Sequence, residues 1–197
     1  AAGAIVDDRY GRDSLCGLTG QGLWLARPIE QPGSTPLAFE GGDDPALTLR
    51  AWPAEHVVKC LVTYGVDDAA DIRAVQDERL LRLQRACVAT NHELLLEVLP
   101  PLGDGLRHDG VADAVQRLYA TGLKPDWWKL PPMRESSQWR DVGNLIRSND
   151  PQCRGVLVLG LDSSDDGLKE SFAASAVEPL VKGFAVGRFI FWPVAEE

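Results

Sequence analysis

The sequence predicts an α/β chain built as a TIM-type (β/α)8 barrel that lacks its first strand–helix unit and its last helix. Two observations lead there. Short apolar or β-branched runs alternate with amphipathic stretches at a repeat of about 30 residues, the spacing of βαβ units on a parallel sheet. In addition, nearly every strand-like run carries an ionisable residue toward its C-terminal end: Asp7/Asp8, Arg27, Lys59, Glu97, Lys129, Asp162 and Arg188. On an open sheet these would be strung along a wide edge, whereas in a barrel they converge on one mouth, where barrel active sites lie. A dinucleotide-binding sheet is disfavoured, because Gly17-Leu18-Thr19-Gly20-Gln21-Gly22 has the wrong glycine spacing and precedes a strand.

Strands are expected at residues 4–6, 23–28, 57–63, 93–99, 126–130, 155–161 and 181–186, seven where a full barrel has eight. Helices are expected between them. Residues 69–90 place Ile72, Val75, Leu80, Leu83, Ala86 and Cys87 close to a helical period. Residues 110–121 do so with Val111, Val115 and Leu118, and residues 136–148 with Val142, Leu145 and Ile146. A shorter helix over 165–176 has acidic residues in its first turn, which suits its dipole. Residues 31–53, rich in Pro, Gly and Asp, read as a long loop or insertion. No linker divides the chain, so residues 1–197 are expected to form one barrel domain, truncated at both ends.

The chain's 197 residues suffice for one sizeable core, and 45% apolar with 25% charged residues is an ordinary globular balance. A net charge of −9 leaves no basic surplus to displace counterions, which argues against a nucleic-acid partner. A phosphorylated small molecule stays open, since it needs only a local cluster of cations and N–H groups. No apolar run reaches the roughly 20 residues of a membrane span, and the first six residues lack a basic n-region. Cys16, Cys60, Cys87 and Cys153 form no C-x-x-C pair and are expected to be small buried hydrophobes in a reducing cytoplasm. His56, His92 and His108 show no metal-ligand spacing, so neither a metal nor a cofactor is expected.

Lys129 leads the chemistry. In Asp126-Trp127-Trp128-Lys129-Leu130-Pro131-Pro132 the strand period puts Trp127 and Lys129 on one face, and the proline pair then stops the strand with Lys129 at the rim. Burial or a neighbouring cation lowers a lysine's pKa toward neutrality, the state a Schiff-base amine requires. The plainer alternative is a structural ion pair. Lys59 is the single charge inside the apolar run Val57-Val58-Lys59-Cys60-Leu61-Val62, placed to depress Lys129 or to touch substrate. Glu97 shares a face with Glu93 and Leu95, and a carboxylate between two lysines can shuttle protons. A purely structural Lys59–Glu97 pair is compatible with that role.

Arg188 and Gly187 close the last strand, whose Lys182, Phe184, Val186 and Arg188 are expected to share one face. Gly160 and Asp162 end the preceding strand and open a helix. Together these are expected to form the phosphate site usual after the seventh and eighth barrel strands, although Ser163 and Ser164 also suit N-capping. Lys182 is expected to be structural. Arg27 and Asp8 are expected to contribute to substrate binding at the mouth.

These segments resemble a known family. Val57-Val58-Lys59-Cys60-Leu61-Val62, Leu94-Leu95-Leu96-Glu97-Val98, Pro125–Pro132 and Val181–Arg188 look like the aldolase-type domain often fused behind a sugar kinase in inositol catabolism. That domain is similar to class I tagatose-bisphosphate aldolases. The opening Ile5-Val6-Asp7-Asp8-Arg9-Tyr10-Gly11 and Arg27-Pro28-Ile29-Glu30 fit as well. The resemblance implies cleavage of 6-phospho-5-dehydro-2-deoxy-gluconate to dihydroxyacetone phosphate and malonate semialdehyde. It implies a Schiff base at Lys129, with Lys59 and Glu97 beside it, phosphate binding at Arg188, and a fused or associated sugar kinase as partner. The family's first barrel strand, with an aspartate at its mouth, has no counterpart here.

Two other functions compete with this class I aldolase: a non-catalytic sugar-phosphate-binding barrel used as sensor or kinase scaffold, and a different lyase or isomerase. Lys129, Glu97 and Lys59 together favour an enzyme, since a phosphate binder needs none of them. An unfinished barrel would expose strand edges and invite homo-oligomers.

Overall fold

Every apolar run read as a strand becomes one, and all seven join a single parallel sheet in chain order. The strands are β1 (Gly3–Ile5), β2 (Trp24–Pro28), β3 (Val57–Thr63), β4 (Leu94–Leu99), β5 (Trp127–Leu130), β6 (Gly155–Leu159) and β7 (Val181–Ala185). The helices between them are α1 (Arg12–Leu18), α2 (Pro45–Leu49), α3 (Ala70–Thr90), α4 (Gly110–Ala120), α5 (Ser136–Asn149) and α6 (Asp165–Ser175). The computed structural model describes residues 3–65, 67–100, 110–160 and 165–187.

The sheet curls. Trp24 on β2 and Trp127 on β5 meet edge to face with ring centroids 5.8 Å apart. Three strand spacings separate their strands, about 14 Å on a flat sheet. The concave face therefore closes on itself, packing Ala26, Val57 and Leu95 with Ile5, Trp24, Trp127 and Leu157. The alternate residues of the same strands, Val58, Cys60, Val62, Leu94, Leu96, Val98, Trp128, Val156 and Val158, join the larger core under the helices. Among the described residues β1 pairs only with β2 and β7 only with β6, so the curled sheet is an open half-barrel.

The helical layer follows the predicted periods with one exchange. In α3, Leu80, Leu83, Ala86 and Cys87 are buried, but Val75 is exposed and Gln76 is fully buried in its place. Gln76 Nε2 donates to the Thr63 carbonyl at 3.0 Å, and its Oε1 accepts from Leu37 N–H at 3.4 Å. The side chain thus stitches the end of β3 to the segment after β2. That segment is more than a loop: Glu30 bridges Phe39, Leu37, Phe39 and Leu49 are buried, and α2 starts at Pro45 with an Asp44 cap. Neither α1 nor α2 was expected, because seven and five residues are too short to display a helical period.

Three of the four cysteines are buried as expected, while Cys16 on α1 is exposed. In α5, Glu135 and Gln138 form a reciprocal capping box that satisfies the first N–H groups. Trp128 is fully buried, and its Nε1 donates to the Tyr119 hydroxyl at 2.9 Å, tying α4 to β5. No helix among the described residues is long and apolar enough to cross a membrane.

Candidate active site

The parallel register aligns the interior residues in rows. Lys59 pairs with Pro28 and Leu95, while the next row up runs from Leu61 through Glu97 and Lys129 to Leu157 and Gly183. Glu30, two residues past Pro28, continues the alternation of β2 onto the same face.

Four charged side chains meet there. Lys59 Nζ and Lys129 Nζ each lie 3.0 Å from the same oxygen, Glu97 Oε2. Lys59 also donates to Glu30 Oε1. All four are buried: Glu97 is 3% exposed, and Glu30, Lys59 and Lys129 are each 7% exposed. Lys129 is the next-to-last residue of β5, buried near that strand's C-terminal end.

Burial makes each charge depend on its partners. For Lys59 the desolvation that would lower its pKa is outweighed by Glu97 and Glu30, so its ammonium is held above the ordinary lysine value. For Lys129 desolvation prevails over Glu97, Lys59 adds repulsion, and the pKa falls below the ordinary value. Burial raises the Glu30 carboxyl despite the pull of Lys59. The cluster therefore separates one fixed cation from one amine that gives up its proton more readily, an arrangement suited to attack on a carbonyl.

Of the expected site residues, the structure brings Lys59, Glu97 and Lys129 together. Glu30 belongs with them and was singled out only as part of the segment Arg27-Pro28-Ile29-Glu30. The period-of-two alternation carried past the end of β2 would have pointed to it. Arg27 is not brought to the cluster. It pairs in register with Val58, whose side chain packs under the helices. It bonds Asp8 at 2.5 Å and stacks 3.9 Å from the Trp52 ring centroid. Asp8 goes with it, largely exposed, on the outer side of the sheet.

Gly160 has a packing reason for lacking a side chain, since a Cβ there would stand 2.8 Å from Val186 Cγ2 and 3.2 Å from its Cα. A Cβ at Gly187 would meet none of the described residues within 4 Å. The common face expected for the last strand is interrupted by a register shift between Val156 and Leu157. Phe184 pairs with Val158 and stacks on Phe172 of α6, so it faces the helices. Lys182 bonds the Pro179 carbonyl at 2.8 Å. Asp162, Arg188, His108, Ser163 and Ser164 lie outside the described residues.

The remaining histidines serve the base of the sheet. His56 Nε2 bonds Thr19 Oγ1 at 2.8 Å, and His92 spans Thr90 Oγ1 and the Pro53 carbonyl. Burial lowers the pKa of both. Among the described residues no group of three or more His, Cys, Asp or Glu side chains is placed to hold a metal ion.

Solved structures share this fold. A crystal structure of a Corynebacterium glutamicum (Brevibacterium flavum) protein, Cgl0159, matches with a TM-score of 0.64 and 19% identity, over 94% of this chain and 64% of that one. A fructose-bisphosphate aldolase from Slackia heliotrinireducens matches with a TM-score of 0.60 and 11% identity, over 90% of this chain and 59% of that one. At such identities the likeness is one of fold, and this chain spans less than two thirds of either neighbour's length. No curated protein sequence matches it. A family model does match over residues 1–197, and the chain therefore belongs to DUF2090, described as an uncharacterized protein conserved in bacteria.

Proposed function

We propose that the chain is a barrel-type class I aldolase in which Lys129 forms a Schiff base with a phosphorylated keto-sugar acid. The observation that carries this reading is the convergence of Lys129 and Lys59 on Glu97 Oε2 inside the curled sheet, with the Lys129 amine held below the ordinary lysine pKa. The fold neighbour described as a fructose-bisphosphate aldolase supports it. The sequence resemblance carries the finer substrate, 6-phospho-5-dehydro-2-deoxy-gluconate, cleaved to dihydroxyacetone phosphate and malonate semialdehyde.

In this scheme neutral Lys129 attacks the substrate ketone. Glu97 relays the proton from the attacking nitrogen and returns one to the carbinolamine oxygen, which leaves as water. The resulting iminium accepts the electron pair of the breaking carbon–carbon bond as the β-hydroxyl gives its proton to a carboxylate and becomes the aldehyde. Protonation of the enamine and hydrolysis release dihydroxyacetone phosphate and restore the amine. Lys59 supplies a fixed positive charge. Arg188, Gly187, Gly160 and Asp162 remain the proposed phosphate site, and residues 1–197 are proposed to act as one barrel domain.

The test is borohydride trapping with dihydroxyacetone phosphate. A stable mass gain located on Lys129, absent in Lys129→Met, supports the reading. No adduct, or one placed on another lysine, overturns it. Lys129→Met should retain measurable binding of a phosphorylated ligand, whereas equal loss of binding and trapping would assign Lys129 a structural role. A non-catalytic phosphate binder is the weaker reading, because phosphate recognition needs none of the Lys–Glu–Lys cluster.

A further inference from the structure

The two lysines are unequal in their partners. Among the described residues Lys59 has two carboxylates in contact, Glu30 and Glu97, whereas Lys129 has Glu97 and shares its oxygen. Glu30 in turn has Lys59 as its side-chain donor among the described residues. Burial disfavours its ionised form, while Lys59 and the backbone amides of Glu30 and Leu61 favour it.

We propose that Glu30 is a positioning residue that decides which lysine holds its proton more firmly: held against Lys59, it fixes the charge there and leaves Lys129 as the amine that gives up its proton more readily. With a symmetric pair on Glu97 Oε2, neither amine would give up its proton before the other. Glu30 breaks that symmetry through direct contact with Lys59 and only a distant one with Lys129. The groups facing Lys129 bear this out. Glu97 comes from β4, Lys59 from β3 and Glu30 from beyond β2, while its register partner on β6 is the apolar Leu157 and the row ends on Gly183 of β7. Glu93, lower on the β4 face, is engaged by Trp127 Nε1 and Arg154. Directions of titration agree, with Lys59 raised and Lys129 lowered.

The inference rests on Lys129 being the nucleophile, but its measurement needs no turnover. Each lysine's free-amine fraction is read by trace acetic anhydride labelling across pH, with peptide mass spectrometry resolving Lys59 from Lys129. In the unaltered protein Lys129 should label at lower pH than Lys59 and, near pH 8, at least about tenfold faster, the ratio one charged hydrogen bond makes. In Glu30→Gln the Lys129-to-Lys59 ratio should fall toward unity, and Glu30→Asp should restore part of it. A merely structural residue would lower stability without changing that ratio. An unchanged ratio in a folded Glu30→Gln overturns the proposal. So does equal or reversed labelling of the two lysines in the unaltered protein, a result that stands even where the variants fail to fold. If the lysines label as stated while borohydride trapping yields nothing, the aldolase reading fails and this assignment survives.

Discussion

Glu97 and Lys129 are register partners on adjacent parallel strands, so their side chains rise from one rung of the sheet and meet at 3.0 Å without either leaving its row. Lys59 reaches the same oxygen from one row below. The pairing is thus set by backbone hydrogen bonding, and the chemistry inherits the rigidity of the sheet.

That rigidity makes Glu97 costly to remove. Among the described residues Glu97→Gln removes the carboxylate that Lys129 contacts and leaves Lys59 with Glu30, and stability at pH 7 should fall by about 3–5 kcal/mol. Lys59 is raised in the folded protein, so its contribution is present below the unfolded lysine pKa and is lost as pH rises through the folded one. In the variant, Lys129 instead favours the unfolded state until it loses its proton. Urea denaturation at pH 7 and pH 10 should therefore show the deficit shrinking at the higher pH. A deficit independent of pH would mean that Glu97 acts through packing.

Lys59→Met removes the repulsion on Lys129 and leaves Glu97 Oε2 to it alone. The Lys129 pKa should rise, and borohydride trapping at neutral pH should slow by about tenfold, the scale of one charged contact. The trapping curve should move to higher pH while keeping its plateau. An unmoved curve in a variant folded by circular dichroism would remove Lys59 from the electrostatics of the nucleophile.

Arg27→Ala should affect the fold and spare the chemistry. Loss of the Trp52 stack and the Asp8 bond predicts about 1–3 kcal/mol of destabilisation in thermal or urea unfolding. Trapping at Lys129 per folded molecule should be unchanged. A large drop in affinity for phosphorylated ligands would return Arg27 to the binding site.

Arg188→Ala, by contrast, should weaken phosphorylated ligands by about 1.5–3 kcal/mol, the value of a charge-assisted contact. Calorimetry with phosphorylated and unphosphorylated sugars separates this from a general loss, and equal weakening of both would remove Arg188 from the phosphate site.

The thiols offer a check on the fold. Cys16 is exposed, whereas burial raises Cys60 well above its ordinary value, Cys87 to about 12 and Cys153 to about 11. Titration with a thiol reagent should find one fast thiol in the native protein and the other three after denaturation. Two or more fast thiols would contradict the packing of the helical layer.

The amino-acid sequence sets the order of strands and helices, and with it the parallel sheet, because apolar runs and helical periods about 30 residues apart admit little else. It also determined that Lys59, Glu97 and Lys129 are out of place in apolar strands, since a charge there must be paired or functional. Which face of each strand looks inward was decided only by the tertiary structure. A parallel barrel buries both faces of its strands, so alternation is visible without an inward or outward label. Hence Arg27, next to last in β2, turns to the helices and Trp52, while Glu30, two residues past the end of β2, turns to Lys59. The curl that brings Trp24 to Trp127 and a shared oxygen to two lysines comes from the twist and packing of the whole sheet, which no single segment encodes.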